Sequence, residues 1–239
     1  ADKSLPYAIA CLVFSIVMVP AGRLQDKIGP RIVASIGGIL VGLGMIVASR
    51  TTSPMGYVVG FGILAGSGFG FGYASATPPA VKWFPPSRTG LIAGIVVSGF
   101  GLSSVYAAPL AKWLTSTWGL QSAMLILGIL FFFVVVILSQ FLRPPHKALQ
   151  FIKKLGEVGA MQNAMTAAVK REEFTPREML RTPAFYLLWL IYACGAGAGL
   201  MIIAKLAAIA KLQAGLGEVG FLLVAVLAIG NGAGRILAG

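Results

Sequence analysis

Acidic side chains are scarce: seven Asp and Glu stand against nineteen Lys and Arg in 239 residues, with one histidine and two cysteines. The shortage removes whole classes of chemistry. His146 is the sole histidine and lies in a basic loop, so a His-based metal site or a His-dependent nucleophile is not expected within this chain. Cys11 and Cys194 both sit in long apolar runs, where a thiol behaves as a small hydrophobe and requires neither a disulfide nor a metal. No acid lies in the interior of those runs to meet a cationic drug, and no nucleophile–base pair or metal cluster supports a membrane enzyme. No cofactor motif is present either. The alternating glycines of Gly66-Ser67-Gly68-Phe69-Gly70-Phe71-Gly72-Tyr73 lack both the G-x-G-x-x-G spacing and the strand–turn–helix setting of a nucleotide loop. The net charge of +12 comes largely from loops on one side and does not signal nucleic acid. No signal peptide is visible, and a chain that opens on Ala1 and stops at Gly239 inside an apolar run reads as a fragment.

What the chain has is hydrocarbon. Hydrophobic residues make up 57%, charged ones 11%, mean hydropathy is +0.88, and 31 glycines are spread through the apolar runs rather than gathered in linkers. Roughly 20 mostly apolar residues cross the hydrocarbon core as a helix, because in lipid every backbone amide must be paired internally. Seven such spans are expected: Leu5 to Gly22, Arg31 to Ser49, Pro54 to Ala80, Arg88 to Ala111, Gly119 to Leu142, Ala184 to Ala210 and Gly217 to Gly239. Ser53-Pro54 and Thr182-Pro183 each place a capping hydroxyl before a proline at the first helical position. Thirteen Lys/Arg fall in loops 23–31, 82–88 and 143–181, against Lys3, Arg50, Lys112 and Lys211 at the opposite ends, so the positive-inside rule puts those loops in the cytoplasm and the chain in the inner membrane.

The longest loop, Arg143 to Arg181, leaves five spans before it and two after it, as a linker between halves would. Within it, Ile152 to Met165 mixes basic and apolar residues at helical spacing, which suits either a helix on an anionic leaflet or a solvated linker. Thr175-Pro176-Arg177-Glu178 has the form of a capping box, so a short helix should begin there along the cytoplasmic face. The first span ends in Ala21-Gly22 and the last in Ala238-Gly239, a weak repeat that would place a second charged loop after Gly239.

The one dense charge cluster of the first eighty residues, Gly22-Arg23-Leu24-Gln25-Asp26-Lys27-Ile28-Gly29-Pro30-Arg31, lies between two apolar spans. It resembles the signature loop of the major facilitator superfamily. Gly22 should let helix ends approach, Gly29 should permit the reversal that Pro30 turns into a helix start, and Asp26 with Lys27 and Arg31 should form a conformational latch between moving bundles. The fold implied is an all-α membrane protein of major facilitator type, a fragment holding about seven of twelve helices, the second to the eighth. Its parts would be residues 1–142 as the N-terminal bundle, 143–183 as the inter-bundle loop and 184–239 as the start of the C-terminal bundle.

Two further segments narrow the resemblance. Trp83-Phe84-Pro85-Pro86-Ser87-Arg88-Thr89-Gly90 is similar to the loop entering the fifth helix of monocarboxylate transporters. Glu178-Met179-Leu180-Arg181-Thr182-Pro183-Ala184-Phe185 is similar to the entry to the seventh helix of oxalate/formate antiporters and their bacterial lactate-transporting relatives.

Arg235 carries the functional expectation. A guanidinium inside a span is costly unless it meets water, a counter-ion or a ligand, and its planar fork matches the two oxygens of a carboxylate. Asn231, four residues earlier, shares its helix face, and Gly230, Gly232 and Gly234 leave the neighbourhood open. The resemblance implies the same pairing, an eighth-helix Asn and Arg of which the arginine binds substrate carboxylate; a snorkelling interfacial arginine is the alternative. Tyr73, ten residues before Trp83, matches the family's fourth-helix tyrosine and could donate to a carboxylate. Phe100 stands where oxalate transporters tend to carry tyrosine, which argues for a small monocarboxylate such as lactate. Tyr106 is a further cavity candidate, and Lys205 either snorkels to the outer interface or adds charge to an outward vestibule. The implied function is a secondary transporter of a small carboxylate, with proton symport first, anion exchange second and drug/proton antiport third, its partners being the anion, H+ and the lipid bilayer.

Overall fold

The computed structural model describes residues 4–84, 88–142, 176–213 and 220–238, and among these no strand occurs. The helices are α1 (Leu5–Ile28), α2 (Pro30–Ser49), α3 (Pro54–Lys82), α4 (Thr89–Ser139), α5 (Pro176–Met179), α6 (Pro183–Gln213) and α7 (Gly220–Ala238). Two compact units result, residues 1–149 with 231–239, and residues 150–230. His146, Thr175 and the expected amphipathic stretch 152–165 lie outside the described residues, as does the side chain of Lys205.

Each boundary has a local cause. Ser53 is extended (φ −80°, ψ 142°) and its Oγ accepts the Gly56 N–H at 3.0 Å, which satisfies one of the orphan donors at the start of α3 while Pro54 supplies none. Thr182 behaves differently from expectation: its hydroxyl donates to the Met179 carbonyl at 2.7 Å, serving the end of α5 rather than the start of α6. Tyr186 adds a second tie to that turn, donating to the Leu180 carbonyl at 2.9 Å.

The charged stretch after Gly22 is not a loop. Helix α1 runs on to Ile28, and the whole reversal into α2 is made by Gly29 alone, at φ 89° and ψ 161°, with Pro30 opening the next helix. That φ is open to glycine and strained for any side chain. Residues 112–118 are likewise helical where a connection was expected. The 51 residues of α4 would reach about 76 Å if straight, more than twice the hydrocarbon thickness, and the chain breaks only at Gly119 (φ 79°, ψ 167°). Its two arms thus supply two of the expected crossings. α1, α2 and α3 supply one each, and α6 and α7 contribute apolar stretches at Pro183–Gly197 and Ala225–Leu237.

Glycine sets how closely the helices of the first unit approach. On α3, Gly66 and Gly70 face α1, where an added Cβ would sit 2.9 Å from the Ala10 carbonyl and 3.1 Å from that of Phe14; Gly68 faces α2 at 2.6 Å from the Gly37 carbonyl. On α2, Gly44 meets the Gly60 carbonyl and Ala65 amide at 2.5 Å, and Gly38 and Gly42 meet Val135 and Phe132 on the second arm of α4. Glycines of this run therefore serve two different neighbours, Gly66 and Gly70 admitting α1 and Gly68 admitting α2, as small residues do where backbones pack in membranes. Helix α3 also carries a π-helical segment at Val58–Ala65 and a proline pair, Pro78 and Pro79, inside its last turns. Those prolines deprive two upstream carbonyls of their helical donors.

Gly44→Val should force a backbone shift and cost about 1–3 kcal/mol, as overpacking does, whereas Gly72→Ala, where a Cβ meets nothing within 4 Å, should be tolerated. Thermal unfolding of the detergent-solubilised protein, followed by size-exclusion chromatography, checks the contrast.

Candidate functional site

Arg235 lies in the last turn of α7 and donates from Nε to Asn231 Oδ1 at 3.0 Å, one helical turn away. Both side chains are half-buried. The bond fixes the long guanidinium stem on its own helix and leaves its terminal amino groups without a partner among the described residues, so the fork that would meet a carboxylate is still available. The helix surface bearing this pair rests on the first arm of α4. A Cβ on Gly94 would strike the Arg235 carbonyl, and one on Gly101 would lie 3.3 Å from the Gly232 amide and 3.6 Å from Asn231 Cγ. Gly94 and Gly101 are seven residues apart, two turns along one face of α4, and their missing side chains are the reason the Asn–Arg pair can sit this close.

Phe100 precedes Gly101 in the sequence, and its ring meets Tyr73. The Tyr73 ring stands edge-on between Phe14 (centroids 5.7 Å, 81°) and Phe100 (6.2 Å, 89°), the arrangement that aromatic quadrupoles favour. Three helices, α1, α3 and α4, thus contribute one aromatic ring each to a wall, and Phe100 is 61% exposed at its edge. Tyr106 does not join it. Six residues beyond Phe100 it is turned by roughly 120° around the helix; it is 65% exposed and makes no ring contact among the described residues.

The charged stretch expected to form a latch makes two sets of side-chain contacts. Asp26 Oδ1 takes Lys82 Nζ at 2.8 Å, which joins the end of α1 to the end of α3 inside a single unit rather than spanning two bundles. Arg31 Nε donates to Gln140 Oε1 at 2.7 Å, and the Ser35 and Ser139 hydroxyls pair at 2.7 Å beneath it, joining the start of α2 to the end of α4. Lys27 is exposed, and no described atom comes within 4 Å of a Cβ on Gly22, so the close approach expected there is absent. Lys82 and Gln140 were not anticipated as partners. Lys82 was legible only as one more cytoplasmic base, since nothing in a linear sequence brings it to a residue 56 positions away. Gln25 was also missed: it is 5% exposed and its Oε1 has no hydrogen-bond partner among the described residues.

The sequence that builds these helices is matched over residues 1–239 by the family model of the Major Facilitator Superfamily. The chain belongs to that superfamily. It is accordingly a multi-pass membrane protein. Among its relatives, the uncharacterized MFS-type transporter YhjX of Escherichia coli K12 is 27% identical over 235 residues, covering 98% of this chain and 55% of that protein. The oxalate:formate antiporter of Oxalobacter formigenes is 30% identical over 185 residues, 77% of this chain and 40% of the antiporter. Human monocarboxylate transporter 11 is 29% identical over 239 residues, all of this chain and 47% of the transporter. The chain spans about half the length of the curated relatives it matches. These likenesses are those expected from the Trp83 and Thr182 segments.

The Asp26–Lys82 pair is solvent-facing, with side chains 60% and 48% exposed, so a double-mutant cycle of Asp26→Asn and Lys82→Gln on thermal stability should return a coupling of only about 0.2–1 kcal/mol, shrinking in high salt.

Proposed function

We propose that the chain is part of a secondary active transporter that moves a small monocarboxylate of the lactate or pyruvate type across the cytoplasmic membrane by alternating access, with proton symport. Residues 1–142 form its N-terminal bundle, 143–183 the cytoplasmic inter-bundle loop and 184–239 the start of its C-terminal bundle. The observation that carries the reading is the Arg235–Asn231 hydrogen bond on a helix seated over Gly94 and Gly101. A guanidinium retained in an apolar helix without a carboxylate partner among the described residues is a cation in need of an anion.

The roles follow from that pair. Arg235 supplies the charge, and Asn231 holds its stem and offers an amide to the same carboxylate. Tyr73 contributes a hydroxyl, and Phe100 an apolar surface against which a methyl group is better accommodated than a second carboxylate. Tyr106 would act from elsewhere on the cavity wall. Asp26, Lys27 and Arg31, with Gly22 and Gly29, form the cytoplasmic latch whose ties to Lys82 and Gln140 hold one end of the bundle closed. Segments 23–31, 82–88 and 143–181 face the cytoplasm, in keeping with their excess of Lys and Arg.

A second reading, anion exchange of the oxalate/formate kind, is favoured by the 30% identity with the Oxalobacter antiporter over 77% of this chain. Phe100 weighs against it, since it offers no hydroxyl to a second carboxylate.

Uptake of labelled L-lactate by liposomes holding the full-length protein separates the two. Flux driven by an inward proton gradient supports symport, whereas gradient-independent flux blocked by oxalate supports exchange. Arg235→Gln should lower the uptake by about tenfold or more, the loss of one charge-assisted contact, with Arg235→Lys intermediate. Absence of carboxylate flux under both conditions returns Arg235 to a structural role.

A further inference from the structure

At the ends of α2, α3 and α4, a pocket of about 440 Å³ is lined by Pro30, Pro79, Ala80, Trp83, Phe141 and Leu142, among other apolar residues. That volume lies in the range of small-molecule sites. Its wall offers a hydrocarbon surface, and Trp83, 40% exposed, is the kind of side chain that anchors at the membrane–water boundary. Two bases directly adjoin its lining residues in the sequence, Arg31 after Pro30 and Lys82 before Trp83. Lys82, next to Trp83, is neutralised by Asp26. Arg31, next to Pro30, is not: its recorded partner is the neutral amide of Gln140, which in turn precedes Phe141. Its two terminal amino groups have no partner among the described residues, and they form a planar fork suited to phosphate oxygens.

We propose that this pocket binds one anionic phospholipid of the cytoplasmic leaflet, with an acyl chain between α2, α3 and α4 and the phosphate on Arg31. A soluble anion would satisfy Arg31 and leave the apolar wall to water; an uncharged apolar ligand would fill the wall and leave the guanidinium uncompensated. One molecule with both parts satisfies both. The pocket also lies at the end of the bundle where Arg23, Lys27, Arg31, Lys82 and Arg88 collect, the side on which an anionic leaflet attracts basic residues. The ionic and apolar contacts join the starts and ends of three helices, so an occupied site ties them together. The inference does not depend on the identity of the transported substrate.

The test uses the full-length protein in detergent, titrated with phosphatidylglycerol or phosphatidylcholine and read by native mass spectrometry. One phosphatidylglycerol should be retained with about tenfold preference over phosphatidylcholine, and Arg31→Gln should abolish that preference. Ala80→Phe, which fills the pocket, should weaken retention of both lipids. Arg23→Gln removes an exposed base at the same end but outside the pocket and should leave the preference intact. Equal losses in Arg23→Gln and Arg31→Gln would mean diffuse charge attraction and overturn the proposal, as would unchanged retention in Ala80→Phe or no preference in the wild type. If Ala80→Phe does not yield monodisperse protein, quenching of Trp83 by brominated phosphatidylglycerol decides, read as the difference between wild type and Trp83→Phe. Relief of that quenching by unbrominated phosphatidylglycerol but not by phosphatidylcholine supports the site; equal relief by both overturns it.

Discussion

Backbone contact at glycine is the interaction on which the rest of this structure depends. Between helices in lipid there is little hydrophobic drive to associate, because the acyl chains are as apolar as leucine, and the stabilisation left is van der Waals contact at short range. Gly37, Gly44, Gly60 and Gly68 bring α2 and α3 together until carbonyls of one helix lie where a Cβ of the other would stand, and Gly66 and Gly70 do the same toward α1. The same device, used at Gly94 and Gly101, admits the polypeptide on either side of Arg235. A single type of contact therefore sets both the compactness of the bundle and the position of its most expensive side chain.

Polar bonds then work at the ends, where water is available. Asp26–Lys82 and Arg31–Gln140 tie helix termini that the glycine contacts have already aligned, and the exposure of these pairs limits what each contributes to stability. Under the alternating access proposed above, such weakly held ends could part and rejoin. The central pair differs: Arg235 and Asn231 are half-buried, and their bond runs along one helix rather than between two, so it survives any rearrangement of the helices around it.

How much of this was legible in the sequence depends on the range of the interaction responsible. The first five spans, the Pro30 and Pro54 helix starts and the Asn231–Arg235 face are local consequences of hydropathy, proline and the 3.6-residue turn, and the structure has each of them, with the two arms of α4 counting as two spans and α6 and α7 showing only shorter apolar stretches among the described residues. Gly29 was readable as a reversal, yet the charged residues before it continue the helix, because Arg, Leu, Gln and Lys are good helix formers and nothing after Gly22 stops the turn. The 112–118 stretch remained helical for a similar reason: Lys112 and the aromatic Trp113 and Trp118 mark a membrane boundary without breaking a helix, and the break is postponed to Gly119. Thr182 had two carbonyl and amide neighbours to choose from, and its sequence does not say which. The pairings of Lys82 with Asp26 and Gln140 with Arg31 span 56 and 109 positions and are set by packing.

The π-helical segment at Val58–Ala65 has a consequence for how α3 can change over time. Pairing at i→i+5 turns the chain by less per residue than the 100° of an α-helix, so eight such residues delay the phase of everything downstream. Gly60 presents to α2 from within this segment, and Gly66, Gly70 and Tyr73 meet their neighbours beyond it. The segment thus acts as a gear between two halves of one helix. A residue gained or lost within it would rotate Tyr73 out of the gap between Phe14 and Phe100, which makes the length of this apolar run a determinant of contacts more than a turn away.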